Sequence, residues 1–279
     1  MKDILSLENI GLTYHTKNGE IKALENLSFN VKEEEFIAIV GPSGCGKTTI
    51  LSLIAGLLKP SQGKILMNGE ENYHTKENIG YMFQRDHLFE WRTVYKNITL
   101  GIEIQNKKTN EEMNAHINKL LTDYGLINFK DNYPRQLSGG MRQRVALIRT
   151  LALNPSLLLL DEPFSALDYQ TRLAVSDDVY EIIKKEKKTA LLVTHDISEA
   201  ISMADRVIVL TQRPAKVKQI FEMNLKQYGS PLKRRESEGF HLVFDKIWEA
   251  LQHEKWKTKE NTSNIQRRTQ KIFKEKQTN

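Results

Sequence analysis

The stretch FIAIVGPSGCGKTTILSLIAGLL, residues 36–58, decides the fold of this 279-residue chain. Its first five residues are apolar, which predicts a buried strand over residues 36–40. A glycine-rich loop follows at residues 41–46. Apolar residues at helical spacing, among them Ile50 and Leu57, then predict a helix over residues 48–58. Strand, loop and helix in this order are typical of an α/β protein.

Later segments extend this pattern. Short apolar runs at residues 157–160 and 190–193 predict further buried strands, and residues 171–187 between them have a helical pattern. Strands that alternate with helices predict a parallel sheet. The first part of the chain differs, because residues 4–31 alternate short strand-like pieces around the turn signal KNG at residues 17–19. We therefore predict an α/β fold with an N-terminal antiparallel β part.

The loop GPSGCGKT fits the template G-x-x-x-x-G-K-[ST]. Its glycines allow the backbone N–H groups to converge on phosphates, and the following helix N-terminus adds positive potential. Lys47 is placed to bridge the β- and γ-phosphates, and Thr48 to offer its hydroxyl to Mg²⁺. A chance glycine-rich turn is the alternative, but the flanking strand and helix argue against it. We predict that a nucleotide binds through nine residues, of which Thr48 would also hold Mg²⁺: Gly41, Pro42, Ser43, Gly44, Cys45, Gly46, Lys47, Thr48 and Thr49.

The single cysteine of the chain, Cys45, lies in this loop. One cysteine excludes an internal disulfide and fits a reducing compartment. We expect its thiol to lie beside the nucleotide, where a bulky maleimide would block ATP. An inert, enclosed thiol is the alternative.

A second polar pair ends an apolar run in LLLLDEP, residues 157–163. If the run is a strand of a parallel sheet, Asp161 and Glu162 lie at its carboxyl edge, where such sheets bind ligands. Asp161 is the natural partner of Mg²⁺. Glu162 is placed to orient or deprotonate an attacking water. An acidic helix N-cap is the alternative for the dipeptide taken alone.

The sequence LSGGMRQ, which starts at Leu137, completes a set of motifs by which the chain resembles the ABC ATPase family. The set covers residues 1 to about 225, and its seven members follow the family's order: Tyr14, the loop at 41–49, Gln84, LSGG at 137–140, the acidic pair at 161–162, SALD at 165–168, and His195. The resemblance implies a P-loop NTPase core of the ABC ATPase type with a helical subdomain. We expect an ATPase domain over residues 1–230 that includes this subdomain at about 88–155.

The resemblance also implies roles for single residues of one subunit. Tyr14 would stack on adenine, although ordinary packing is the commoner role of such a tyrosine. Gln84 would contact Mg²⁺ or the attacking water, where a surface amide is the alternative. His195 would bond the γ-phosphate and hold the water of Glu162, although a lone histidine is more often structural.

A second group of residues would act in trans. In the family each ATP lies between the phosphate loop of one subunit and the LSGG of the other, so two identical chains enclose two nucleotides. Asp168 would lie at the seam, and a helix N-cap is its alternative role. The residues expected to act in trans are Ser138, Gly139, Gly140, Met141 and Asp168.

Met141 stands where most of the family has Gln, which replaces an amide by a thioether that cannot donate a hydrogen bond. Three features resemble the branch that imports nitrate, sulfonates, taurine and related small solutes, including vitamin precursors. They are Met at this position, the segment MFQRDHLFEWRTVYKNITLGIE from residue 82, and the segment RPAKVKQIFEMNL at 213–225. Glu90 and Trp91 stand where those importers often have Pro-Trp. The sequence does not identify the solute.

An importer subunit would have several partners. The resemblance implies a second ATPase subunit, transmembrane permease subunits and, through them, an extracytoplasmic solute-binding protein. It would place the chain at the cytoplasmic face of the membrane. Phe89, Trp91 and Tyr95 are candidate anchors for the permease, with a core position as the commoner role of each. The alternative is a soluble ABC ATPase that acts on ribosomes or DNA, but the chain lacks the tandem cores and coiled-coil insertions of those members.

Hydropathy and charge argue against a membrane span and a nucleic-acid partner. No apolar run approaches the roughly 18–20 residues of a membrane span, and the N-terminus has no signal-peptide pattern. The net charge is +6, and residues 252–279 carry eight Lys or Arg against three Asp or Glu, so no nucleic-acid face is expected on the core. We expect an amphipathic helix at 231–251 that packs on the core. A flexible basic tail would follow, either solvated or clamped to anionic lipid.

Overall fold

The computed structural model of the protein describes residues 2–17, 19–71, 78–105 and 110–252. Beyond Gln252, the predicted basic tail lies outside the described residues. Asn18 of the predicted turn does so too.

Two sheets organise this part of the chain. A three-stranded antiparallel sheet has the order β2-β1-β4, and a six-stranded sheet has the order β5-β6-β7-β3-β8-β9. In the larger sheet all neighbours pair in parallel except β8 and β9. The strands are β1 (Asp3–Thr16), β2 (Gly19–Lys32), β3 (Phe36–Val40), β4 (Gln62–Met67), β5 (Ile79–Met82), β6 (Leu157–Asp161), β7 (Thr189–Val193), β8 (Arg206–Leu210) and β9 (Val217–Glu222). The predicted antiparallel part and parallel sheet are confirmed.

The helices connect the parallel strands, and four of them form a helical part between β5 and β6. They are α1 (Lys47–Ile54), α2 (Val94–Ile98), α3 (Leu100–Ile104), α4 (Glu111–Asp123), α5 (Gly139–Leu151), α6 (Tyr169–Lys185), α7 (Ile197–Met203), α8 (Pro231–Arg235) and α9 (238–252). The helical subdomain that the family resemblance implies is thus present as α2 to α5.

The parallel sheet is buried on both faces. In β3, Phe36, Ala38 and Val40 belong to a core shared with the helices, whereas Ile37 and Ile39 belong to a core on the opposite face. Alternate side chains of a strand point to opposite faces, so both must be apolar when layers cover each side. This explains why β3 is apolar without interruption. The second core lies between this sheet, α1 and the antiparallel sheet.

One predicted helix is shorter than expected. Helix α1 stops at Ile54 instead of Leu58, because Gly56 takes a left-handed φ of 68° just past its end. Leu57, predicted on the apolar face, is 62% exposed.

The C-terminal segment is also two helices instead of one. Residues 236 and 237 separate α8 from α9. The hydroxyl of Ser237 donates to the carbonyl of Arg234 at 2.7 Å. A side chain thus occupies a carbonyl that would accept from a backbone N–H in a continuous helix. Phe240 and Ile247 of α9 are buried in the helical core, whereas Trp248 is 46% exposed.

The guanidinium of Arg234 fastens this C-terminal segment to the core. Its side chain is 1% exposed and lies over the ring of Tyr180, 4.6 Å from the centroid. It donates to the carbonyls of Gly229 at 2.9 Å and Ser202 at 3.1 Å, and to the hydroxyl of Tyr180. One buried cation thus joins α8 to α6 and α7.

Arg234→Ala should lower the free energy of unfolding by about 3 kcal/mol, because the carbonyls and the Tyr180 hydroxyl lose a buried donor. Urea unfolding followed by circular dichroism measures this change. The matched control is Lys233→Ala at the exposed neighbouring position, which should stay within about 0.5 kcal/mol of the parent protein. Equal stability of both variants would contradict the role given to Arg234.

Candidate functional site

Four parallel strands bring the predicted site residues to one edge of the sheet. The phosphate loop follows β3, and Asp161 ends β6 with Glu162 directly after it. His195 comes two residues after β7, and Gln84 two residues after β5. Because these strands are parallel neighbours, their carboxyl ends meet at the same edge.

The phosphate loop curls back on itself. Gly44 and Gly46 have φ of 71° and 124°, which residues with a Cβ rarely adopt. The ammonium of Lys47 donates to the carbonyls of Gly41 at 3.0 Å and Pro42 at 3.2 Å, and its side chain is buried. The loop therefore surrounds a lysine amine at the start of α1.

The side chain of Cys45 points into the protein. It is 2% exposed and packs in the core between the two sheets, and this burial raises the pKa of the thiol. The thiol is thus enclosed, as the alternative had it, and its expected position beside the nucleotide stays a prediction. The apolar neighbours of the loop on β3 and β8 explain the burial, because they offer the small side chain a dry position.

Asp161 and Thr48 form an oxygen pair beside this loop. The Thr48 hydroxyl donates to Asp161 Oδ1 at 3.2 Å, and the Tyr81 hydroxyl donates to Oδ2, also at 3.2 Å. Burial raises the pKa of the Asp161 carboxyl, and the two hydrogen bonds oppose that shift. The arrangement presents a hydroxyl and a carboxylate oxygen to a cation.

Glu162 lies directly beside His195. Its Oε2 is 3.0 Å from Nδ1 of the imidazole. The backbone of Glu162 has a left-handed φ of 46°, and its N–H donates to the carbonyl of Val193 at 2.8 Å. A residue held in this region is under backbone strain, which is common at functional sites. The geometry brings together the two residues that were predicted to handle the attacking water.

Gln84 reaches the same corner through Ser165. Its amide donates to the Ser165 hydroxyl at 3.2 Å, and that hydroxyl donates to the carbonyl of Glu162 at 2.9 Å. Gln84 is therefore connected to the acidic turn through a hydrogen-bonded serine.

Tyr14 extends from β1 to the first turn of α1. Its hydroxyl lies 3.2 Å from Oγ1 of Thr49, and the side chain is 37% exposed. This contact fixes one end of the ring next to the phosphate loop and leaves part of its surface accessible.

The LSGG residues lie in the helical part. Ser138 caps α5, since its Oγ accepts from the N–H of Met141 at 3.3 Å. A Cβ on Gly140 would lie 2.9 Å from a methyl group of Val175, so α5 can approach α6 this closely only with glycine there. Met141 packs against the helical core, an environment that suits a thioether better than an amide.

Asp168 caps α6. Its Oδ1 accepts from the N–H of Thr171 at 3.1 Å, and the hydrogen bond from Thr171 lowers the pKa of the carboxyl. The structural role weighed from the sequence is thus present. A cap at an exposed turn remains compatible with a contact across a subunit seam.

Sequence reasoning gave no role to three contributors to the site. Tyr81 and Ser165 hold Asp161 and Gln84, as described above. The guanidinium of Arg213 donates to the carbonyl of Gly44 at 2.7 Å and so fastens the phosphate loop from outside. Arg213 belongs to RPAKVKQIFEMNL, which carried a family resemblance but no local signal for a contact 169 residues away.

Residues 24–165 match the sequence family described as ABC transporter. An uncharacterized ABC transporter ATP-binding protein of Bacillus subtilis (strain 168), YtlC, is 45% identical over 88% of this chain and 95% of its own length.

The chain belongs to the ABC transporter family.

Two further relatives of this ABC ATPase add detail. The taurine import ATP-binding protein TauB of Ruegeria pomeroyi is 38% identical over 87% of this chain and 92% of its own length. The dimeric post-hydrolysis structure of the ATP-binding cassette MJ0796 with ADP and Pi is 31% identical, with a TM-score of 0.67. It covers 79% of this chain and 99% of its own. Within the described ranges, no helix is both long and apolar enough to span a bilayer.

Glu199 of this ABC ATPase is a buried acid just behind His195. Its side chain is 3% exposed, and Oε2 accepts from the Thr194 hydroxyl at 2.6 Å. Burial raises the pKa of the carboxyl to about 7, and the nearby charge of Asp196 acts in the same direction. The hydrogen bond from Thr194 opposes the shift, as do the charges of Arg172 and Arg235. The carboxyl therefore binds a proton more readily in the folded than in the unfolded chain.

This raised pKa predicts a stability that falls with pH. The contribution of Glu199 is fully present below about pH 4.5 and is lost as pH rises through about 7, at most about 3 kcal/mol. Glu199→Gln, whose amide oxygen can still accept from Thr194, should remove that loss. Urea unfolding at pH 5, 6, 7 and 8 tests this, with the exposed Glu249→Gln as control. Parallel pH profiles for Glu199→Gln and the parent protein would contradict it.

Proposed function

We propose that this ABC ATPase hydrolyses Mg-ATP as a homodimer to energise the import of a small solute of the nitrate, sulfonate, taurine or vitamin-precursor type. The observation that carries the hydrolytic role is the contact of Glu162 with His195 at 3.0 Å, next to the phosphate loop. The similarity to a taurine import subunit supports the importer role.

In the proposed reaction, a water oxygen attacks the γ-phosphorus of ATP. The bond to the β–γ bridging oxygen breaks, its electron pair leaves with ADP, and the proton of the water passes towards Glu162. His195 uses Nδ1 against Glu162, so its Nε2 points elsewhere and is assigned to the γ-phosphate. Gln84 is assigned to orient the water, since it is connected to the backbone of Glu162 through Ser165. Lys47 exchanges the carbonyls of its own loop for the β- and γ-phosphates.

The oxygen pair at the loop fits Mg²⁺. Thr48 Oγ1 and Asp161 Oδ1 are hard oxygen donors 3.2 Å apart, and Mg²⁺ at nucleotide sites is held by one or two such groups together with phosphates and waters. Gln84 is assigned as a further contact. When bound, the ion neutralises charge that develops on the phosphates. Tyr14 is assigned to adenine and Gly41 to Thr49 to the phosphates.

The second half of each site is assigned to the partner subunit. Ser138, Gly139, Gly140 and Met141 form the N-terminal turn of a 13-residue helix, where N–H groups and the helix dipole attract anions. The dimeric structure of the related cassette MJ0796 supports a dimer, and we assign Asp168 to its seam.

The aromatic segment after Gln84 is the proposed permease contact. Trp91 is 74% exposed and its ring lies 4.8 Å from that of half-buried Phe89. Tyr95 instead donates to Asn114 Oδ1 at 2.6 Å and packs on the helical core, so we assign it a supporting position. Through the permease the chain would sit at the cytoplasmic face of the membrane, and an extracytoplasmic protein would deliver the solute.

The proposed domain limits are those expected from the sequence, with one change. An ATPase domain covers residues 1–230 and contains the helical subdomain at about 88–155. The C-terminal segment 231–251 consists of α8 and most of α9 instead of one helix. No nucleic-acid partner is proposed.

Glu162→Gln should retain ATP binding but lower hydrolysis at least about a hundredfold, because the amide keeps the shape and loses the base. Trapped ATP should make the variant dimeric in light scattering. Phosphate release measures hydrolysis, and Glu112→Gln on the exposed face of α4 is the control. Turnover by Glu162→Gln close to that of the control would exclude Glu162 as the base.

Trp91→Ala should weaken binding to the co-expressed permease at least about tenfold, because exposed aromatic anchors dominate many interfaces. Membrane fractionation and co-purification measure it, and circular dichroism checks the fold. Tyr228→Ala, at another exposed aromatic, is the matched control. If the parent protein sedimented with ribosomes instead of membranes, the importer role itself would fail.

A further inference from the structure

The segment after Gln84 is fastened to the helix that carries the LSGG motif. The guanidinium of Arg142 on α5 donates through Nε to Asp86 Oδ2 at 3.1 Å. The same guanidinium donates through Nη1 to the carbonyl of Leu137, the residue before the Ser138 cap, at 3.0 Å. Arg142 thus contacts both the start of its own helix and the segment from β5.

A second arginine of α5 holds the backbone of that segment. Arg149 donates through Nη2 to the carbonyl of Asp86 at 2.7 Å and through Nη1 to that of His87 at 2.8 Å. Asp86 is ordered from its own side as well, because its Oδ1 accepts from the N–H of Leu88 at 3.1 Å. The position of the carboxylate that faces Arg142 is therefore well defined.

These contacts continue the hydrogen-bonded series that begins at Glu162. Ser165 donates to the carbonyl of Glu162, and Gln84 donates to Ser165. Two residues further on, Asp86 accepts from Arg142. The acidic turn, which the proposed function assigns to one nucleotide, is thereby connected within a single chain to the N-terminus of α5, which it assigns to the other.

We propose that Arg142 is a positioning residue that sets the orientation of the LSGG helix according to the state of the Gln84 segment. This inference rests on the proposed function, since the helix N-terminus is useful only to a second subunit. Arg142 suits the task because its planar guanidinium donates in two directions at once, which a lysine ammonium on a flexible stem does poorly.

The ion pair is not chiefly a stabilising contact. The Arg142 and Asp86 side chains are 35% and 27% exposed, and pairs with this much solvent contribute little to folding. Removal of the Arg142–Asp86 ion pair should therefore leave the fold and the phosphate loop intact. It should loosen the attachment of α5 to the Gln84 segment. A stabilising role thus predicts a loss of folding stability, whereas a positioning role predicts weaker ATP-dependent dimerisation.

The test is a double-mutant cycle in the full-length Glu162→Gln protein, with the ATP-dependent dimer dissociation constant as readout. Arg142→Ala and Asp86→Ala should each raise that constant at least about fivefold, and the double variant should be no worse than the poorer single variant. Arg142→Lys should recover part of the loss. The affinity of the monomer for a fluorescent ATP analogue should change less than about twofold, because the phosphate loop is on another element.

Arg85→Ala is the matched control, because it removes the same charge from an exposed position next to Asp86. It should dimerise like the parent protein. An unchanged dimer constant in Arg142→Ala, strictly additive effects of the two substitutions, or an equal loss in Arg85→Ala would each overturn the inference. Failure of the Glu162→Gln parent to dimerise with ATP would instead overturn the proposed function, and this inference with it.

Discussion

Parallel pairing of β3, β7 and β6 is the constraint on which the rest of the structure depends. It places Ile39 beside Val193, and Val193 beside Asp161, although these residues are far apart in the chain. Each strand is buried on both faces, so neither a shift in register nor a reversal of direction leaves the cores intact. The polar residues that follow the strands must therefore meet at one edge.

The turn after β6 shows how this framework holds a strained residue. Glu162 has a left-handed backbone, yet its N–H and carbonyl groups are bonded to Val193 and Ser165. Such a backbone conformation persists only where surrounding contacts over-determine it. The carboxylate of Glu162 is thereby directed to His195, and the carboxylate of Asp161 to Thr48.

Arginines connect the elements that the sheet does not. Arg213 reaches the phosphate loop, Arg142 and Arg149 hold the Gln84 segment to α5, and Arg234 joins α8 to α6 and α7. Each guanidinium has several donors in a rigid plane, so one side chain can satisfy acceptors on two elements. Two of these arginines, Arg142 and Arg149, add such contacts to the apolar core that the helical part shares with the sheet.

The amino-acid sequence by itself determined the local elements of the site. The glycines and lysine of the phosphate loop, the apolar run before Asp161 and the order of the motifs specify strand, loop and helix, because their signals come from adjacent residues. Only the tertiary structure decided that the Cys45 thiol is enclosed, that Arg213 fastens the phosphate loop, and that Arg142 meets Asp86. These outcomes depend on contacts between residues distant in the chain, or on which side of a turn faces the core, and no short pattern of residues encodes either.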